Sequence, residues 1–99
     1  MILAVRRVRG DSLAPRFRAG DFVLISRVPL LFRRPAVGDV LVCKQPEYGQ
    51  LIKRVEKIHA DGSLDVRGDD VDSVDSRRFG AVQVEAVLGL VVWHIGKGD

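Results

Sequence analysis

The stretch Gly10-Asp11-Ser12-Leu13-Ala14-Pro15 sets a serine between an acidic residue and a turn-forming proline, a setting that suits an exposed nucleophile. A serine hydroxyl is a weak nucleophile until a base takes its proton. The chain therefore has to supply a base. Its two histidines, His59 and His94, sit in a predicted hairpin and near the C-terminus, and neither carries a local catalytic motif. Lys53, in Leu51-Ile52-Lys53-Arg54-Val55, is the better candidate. On a strand, alternation places Leu51, Lys53 and Val55 on one face and Ile52, Arg54 and Glu56 on the other. A lysine among apolar neighbours is open to burial, which disfavours the ammonium and lowers its pKa. A general base at neutral pH needs that shift. Strand lysines commonly extend into solvent instead, so the pattern around Lys53 is suggestive only in combination with the rest of the chain.

The elements that must position these groups read as strands. Ile2–Val8, Phe22–Ser26, Val40–Lys44, Gln50–Ile58, Leu64–Arg67 and Leu88–Ile95 are short and apolar or alternating, with turn residues between them. Gln45–Gly49 and Asp61-Gly62 read as hairpin connections, Ser12–Arg18 as a turn or single helical turn, and Gln83–Val87 as a helical turn. Gly68–Arg78 reads as a polar loop. Val28–Pro35 is irregular; its Leu30-Leu31-Phe32 run, flanked by Arg27, Arg33 and Arg34, reads as a loop folding back over the core, the alternative being a surface that touches a membrane or partner. The fold expected is mainly β: one domain over residues 1–99, a compact coiled sheet or partly open barrel of six or seven short strands.

Composition narrows the function. With 99 residues there is room for one core. Sixteen basic against 13 acidic residues leave a net charge of +3, with arginines concentrated early in the chain. Aromatics do not interleave with them as a stacking platform for nucleic acid would, so a nucleic-acid partner is not expected. Cys43 is alone and reads as a buried small residue; no Cys/His cluster suggests zinc, and Asp69, Asp70, Asp72 and Asp75 lack the spacing of a calcium loop. No cofactor or metal is expected. No transmembrane span is visible, so the expected location is cytoplasmic, with membrane association as the alternative. Gly10-Asp11-Ser12-Leu13 also spells an esterase motif, but that enzyme class needs a larger, helix-rich frame. The oligomeric state is not legible.

A series of blocks does rise above coincidence: Gly10–Pro15, Gly20-Asp21, Gly38-Asp39-Val40, Lys53-Arg54-Val55, Gly68-Asp69-Asp70, Ser73-Val74-Asp75-Ser76-Arg77, Phe79-Gly80 and Leu88-Gly89. In order and rough spacing they resemble the signal peptidase I superfamily of serine–lysine peptidases, over about Val8 to Val92. The resemblance implies Ser12 as nucleophile and Lys53 as general base. It implies Ser73 as the hydroxyl that orients the lysine, Asp75 and Arg77 as an ion pair bracing the site, and the Ser12 backbone N–H as part of the oxyanion hole. Gly10 stands where some members supply a further hydroxyl. The substrate it implies is a protein or peptide bound as an extended strand, with Leu13, Val40, Leu51 and Ile52 as groove candidates. The short Lys53–Gly68 interval looks most like a small soluble branch, similar to proteases that mature nickel-type superoxide dismutase. The competing expectations are an inactive peptide- or nucleic-acid-binding domain of the same fold and a repressor-type self-cleaving domain.

Overall fold

Short apolar runs separated by turn residues do form strands. The computed structural model describes residues 3–7, 20–68 and 74–96. Among these lie β1 (Ala4–Arg7), β2 (Phe22–Ser26), β3 (Val40–Gln45), β4 (Gly49–Ile58), β5 (Leu64–Arg67) and β6 (Val87–Ile95). One helical turn, α1 (Ser76–Phe79), and two 3-10 turns, Val28–Leu31 and Val84–Ala86, complete the description. The strands make one antiparallel sheet in the order β1-β2-β6-β3-β4-β5, and it does not close. The mainly-β, open coiled architecture is the one the sequence pattern implies.

Coiling has local causes. Register shifts occur between Leu24 and Ile25, between Val42 and Cys43, and between Val55 and Lys57. Each extra residue bends its strand and increases the twist. The sheet curls far enough that Arg6 Nε on β1 donates to Gln50 Oε1 on β4 at 2.9 Å, although three strands separate β1 from β4 in the sheet order.

Both faces of the curled sheet carry a core. One cluster joins Val23, Ile25, Val40, Val42 and Ile52. The other joins Leu41, Cys43, Val55, Leu64, Val66, Val82, Val87 and Leu90. The β3–β4 register, with Leu41 opposite Lys53 and Val42 opposite Ile52, follows from the tight connection between Gln45 and Gly49. Gly49 adopts φ +76°, the left-handed conformation that ends a three-residue hairpin loop. Gly89 answers a different need. A Cβ there would lie 3.1 Å from the Ser26 backbone nitrogen and 3.2 Å from Ile25 Cβ, so β2 and β6 approach this closely only over a glycine.

Two readings of the sequence change. The stretch predicted as a polar loop over Gly68–Arg78 contains the start of α1, because the Asp75 carboxylate accepts from the Arg77 N–H and caps a helical turn. The Leu30-Leu31-Phe32 run does not fold back as a unit. Leu30 packs against the second cluster, but Leu31 and Phe32 are 77% and 85% exposed.

Candidate functional site

Lys53 sits in the middle of β4, opposite Leu41 of β3. Strand alternation puts it on the same face as Leu41, Cys43, Leu51 and Val55, the face of the second cluster. It is only 2% exposed, and it is the buried cation among the described residues. Burial is the main force on its charge and pulls its pKa below the ordinary lysine value. The negative charge of Asp75 opposes that fall, and the Arg77 guanidinium adds to it. The balance favours the neutral amine more than in a lysine in water.

Asp75 is fully buried. Its Oδ1 accepts from the Arg77 N–H at 3.0 Å and from Arg77 Nε at 2.9 Å; its Oδ2 accepts from an Arg77 terminal nitrogen at 2.7 Å and from the Gly68 N–H at 3.1 Å. Desolvation raises the pKa of this carboxyl. The hydrogen bonds and charge of Arg77 and the Gly68 N–H outweigh it and hold the pKa well below the usual carboxylate range. The next residue also braces the corner, since Ser76 Oγ accepts from the Val66 N–H at 2.8 Å. Phe79, at the end of α1, packs against the second cluster and meets the Tyr48 ring, their centroids 6.2 Å apart. The turn carrying Asp75 and Arg77 is thus fastened to β5, to the β3–β4 hairpin and to the core under Lys53.

Cys43 is the member of this face whose proximity to the lysine the sequence reading missed. The hairpin register alone would have revealed it, because Cys43 and Lys53 are diagonal neighbours across β3 and β4. Burial pushes its thiol up to about 11, against the pull of Lys53. It is a neutral, buried neighbour rather than a thiolate nucleophile.

A second missed pairing lies at the other end of the sheet. Asp21, buried beside the first turn of β2, meets His94 Nε2 of β6 at 2.7 Å. The Gly20-Asp21 block is thereby tied to the last strand. In the Gly38-Asp39 block, the Asp39 carboxylate accepts from the Ala36 N–H and from the Arg33 guanidinium, each at 2.8 Å.

The remaining site candidates divide. Leu51 is half-buried on the face of Lys53, whereas Val40 and Ile52 belong to the cluster on the opposite face. Ser12, Leu13 and Ser73 lie outside the described residues. The structure therefore brings Lys53, Asp75 and Arg77 together as one electrostatic unit. Among the described residues no group of three or more His, Cys, Asp or Glu is placed to hold a metal ion. No helix among them is long and apolar enough to cross a membrane.

The geometry of β4 adds a feature. Val55 donates to the Asp39 carbonyl and accepts from the Gly38 N–H, so its backbone groups point toward β3. Alternation then turns those of Gln50, Ile52 and Arg54 toward the β5 side. β5 pairs only with Arg54–Ile58. Among the described residues no strand stands opposite Gln50 and Ile52, so within them the outer edge of β4 is uncovered up to Lys53.

No family model matches the chain. It is similar to the mitochondrial ATP-independent inner membrane protease subunit 1b of Arabidopsis thaliana, with 28% identity over 111 aligned positions covering 87% of this chain and 66% of that protein. The chain thus spans just under two thirds of the length of that relative.

Proposed function

We propose that residues 1–99 form a single serine–lysine peptidase domain that cleaves a protein or peptide bound as an extended strand. The observation that carries the reading is the buried Lys53, held with a depressed pKa on an apolar strand face beside the Asp75–Arg77 pair. The similarity to a plant protein named as an inner membrane protease subunit supports peptidase chemistry of this general kind.

In this mechanism neutral Lys53 accepts the Ser12 proton as Oγ attacks the scissile carbonyl. The tetrahedral oxyanion is met by the Ser12 N–H. Lys53 then returns the proton to the leaving amine, and water hydrolyses the acyl-serine with Lys53 again as base. Ser73 orients the amine. Asp75 and Arg77 position the loop and leave the proton transfers to Lys53. The outward N–H and C=O groups of Gln50 and Ile52 pair with the substrate backbone, and alternate substrate side chains fall against Leu13, Val40, Leu51 or Ile52.

The narrower reading, a protease that trims a short N-terminal extension as in the nickel-type superoxide dismutase maturation branch, rests on chain length and motif form. Membrane association, the alternative to a cytoplasmic location, gains from the name of the plant relative. The test is to incubate the protein with a mixture of leader-bearing precursor proteins and map new N-termini by mass spectrometry. Defined cleavages are expected, absent with Ser12→Ala and Lys53→Ala. An unchanged cleavage pattern with either variant contradicts the dyad. A domain that only binds peptides would use the same open edge; it predicts peptide binding without new termini.

A further inference from the structure

The sheet face that carries the second cluster continues past it. Residues directly opposite on paired strands share a face. The register sets Arg7, Phe22 and Ile95 in one row across β1, β2 and β6, and Val5, Leu24 and Trp93 in the next. Leu3, two residues before Val5, falls on the same side by alternation. Leu90 stands opposite Ser26, which alternates with Leu24 and Phe22, so it too belongs to this face, and there it is buried in the second cluster. Beyond Leu90 the cover ends. Leu3, Val5, Phe22, Trp93 and Ile95 are 42% to 64% exposed, Trp93 the most. The other face of β2 is closed by Val23 and Ile25 in the first cluster. The unbroken run Phe22-Val23-Leu24-Ile25 is the pattern of a strand covered on both faces.

We propose that the β1-β2-β6 face bearing Leu3, Val5, Phe22, Trp93 and Ile95 docks a second copy of this chain, face to face about a two-fold axis. At roughly 200 Å² for a large side chain, the exposed parts of these residues come to about 500 Å² of apolar surface, near the upper end of what monomers leave bare. With Leu24 and the stem of Arg7 beside them, the face approaches the roughly 800 Å² per partner that a stable complex covers. Charge selects the occupant. Arg7, at the corner where β1 ends, is the charged residue of this face among the described residues, so a two-fold copy brings no like charges together at its centre. An acidic partner would find a single guanidinium there. Two sheets meeting in this way pack about 10 Å apart, as in a β-sandwich. Trp93 supplies the aromatic anchor that such an interface depends on. Dimerisation is independent of the peptidase reading, because it is measured without activity.

The test is sedimentation equilibrium of the purified full chain, with tryptophan fluorescence read over the same concentrations, about 1–200 μM. Trp93 is the one tryptophan of the sequence, so the emission reports this face alone. A mass twice that of the chain is expected at the upper concentrations, and dilution should shift the emission to longer wavelength as the indole meets water. Trp93→Ser should weaken the association by about thirtyfold or more. Val5→Lys, which puts a charge into the apolar face, should weaken it by about tenfold or more. Both positions are exposed, and unchanged circular dichroism will show the fold intact. Phe32→Ser, exposed on another part of the surface, is the control and should associate as the parent does. A parent that stays monomeric throughout overturns the proposal. So does a dimer whose emission is unchanged on dilution, or one that Trp93→Ser and Val5→Lys leave as tight as the parent. A monomer whose emission shifts only when phosphatidylcholine–phosphatidylglycerol vesicles are added assigns the face to a bilayer and overturns it as well.

Discussion

The two halves of β4 carry the same residue type into different surroundings. Lys57 lies in the half that β5 covers, and its side chain is exposed. Lys53 lies in the half without β5 opposite it, and its side chain is buried. The covered half is a structural strand: β5 pairs with it along Arg54–Ile58, and its lysine is solvated. The uncovered half joins a desolvated amine to backbone groups that no strand pairs among the described residues. The difference teaches that a missing neighbour at the strand edge and an extra neighbour on the strand face act together. β5 ends at Arg67, opposite Arg54, and the Asp75–Phe79 turn walls the face.

The sharpest way to break that contrast is to remove each lysine in turn. Lys53→Ala is expected to lower the cleavage rate by at least about 10²–10⁴-fold, the range for loss of a general base. Lys57→Ala should leave it unchanged. N-terminal mapping of precursor cleavage, with rates from timed samples, makes the measurement.

Next in size is the wall. Asp75→Ala leaves the Gly68 and Arg77 donors without their carboxylate; Arg77 is a third exposed and can turn to water, so the expected loss is that of orphaned donors, about 1–3 kcal/mol. Urea unfolding should show that loss. The paired carboxylate also sets an acid limit. Its pKa is depressed in the fold, so its stabilisation is full above the unfolded value of about 3.9 and is lost as pH falls below it toward the folded value. In Asp75→Ala that acid-side slope should shrink.

The edge comes third. Gln50→Pro removes an outward N–H without breaking a bond to β3, and it should raise KM for an extended substrate by roughly fivefold to tenfold, one hydrogen bond's worth. Gln50→Ala, which keeps the N–H and loses only the side-chain contact with Arg6, should change KM less. Equal effects from the two variants would detach the open edge from substrate binding.

Much of this contrast was legible in the sequence. The six strands, the hairpin at Asp61-Gly62 and the 3-10 turn near Val84 follow from apolar alternation and turn residues, which are local signals. So does the sharing of one face by Leu51, Lys53 and Val55. Pairing was not legible, because it depends on residues distant in the chain. Nothing in Cys43 announces a lysine beside it until the β3–β4 register is known. Asp21 and His94 are 73 positions apart and meet only because β2 lies against β6. The α1 turn escaped because Ser73–Arg78 has the composition of a loop; the Asp75 cap, a single side chain turned onto its own backbone, decides it. Arg33 and Arg34 look alike in sequence, yet only the fold gives Arg33 its bidentate Asp39.

The smallest expected effect is thermodynamic. Burial that lowers the Lys53 pKa makes the unfolded chain bind more protons than the fold between the folded value and 10.5, so stability rises with pH through that window. Lys53→Met removes the titrating group. It should be the more stable protein at neutral pH, with the gap narrowing as pH approaches 10.5. A gap that is constant with pH would contradict the burial argument.

The central claim is that Lys53 is a desolvated base, and its own titration tests that most directly. Lysine side chains labelled with 13C at Cε report protonation through their chemical shift, and Lys53→Met assigns the resonance. The account predicts a midpoint for Lys53 below the ordinary 10.5, with cleavage rising over the same pH range. A midpoint at or above 10.5, with cleavage indifferent to it, would contradict the account.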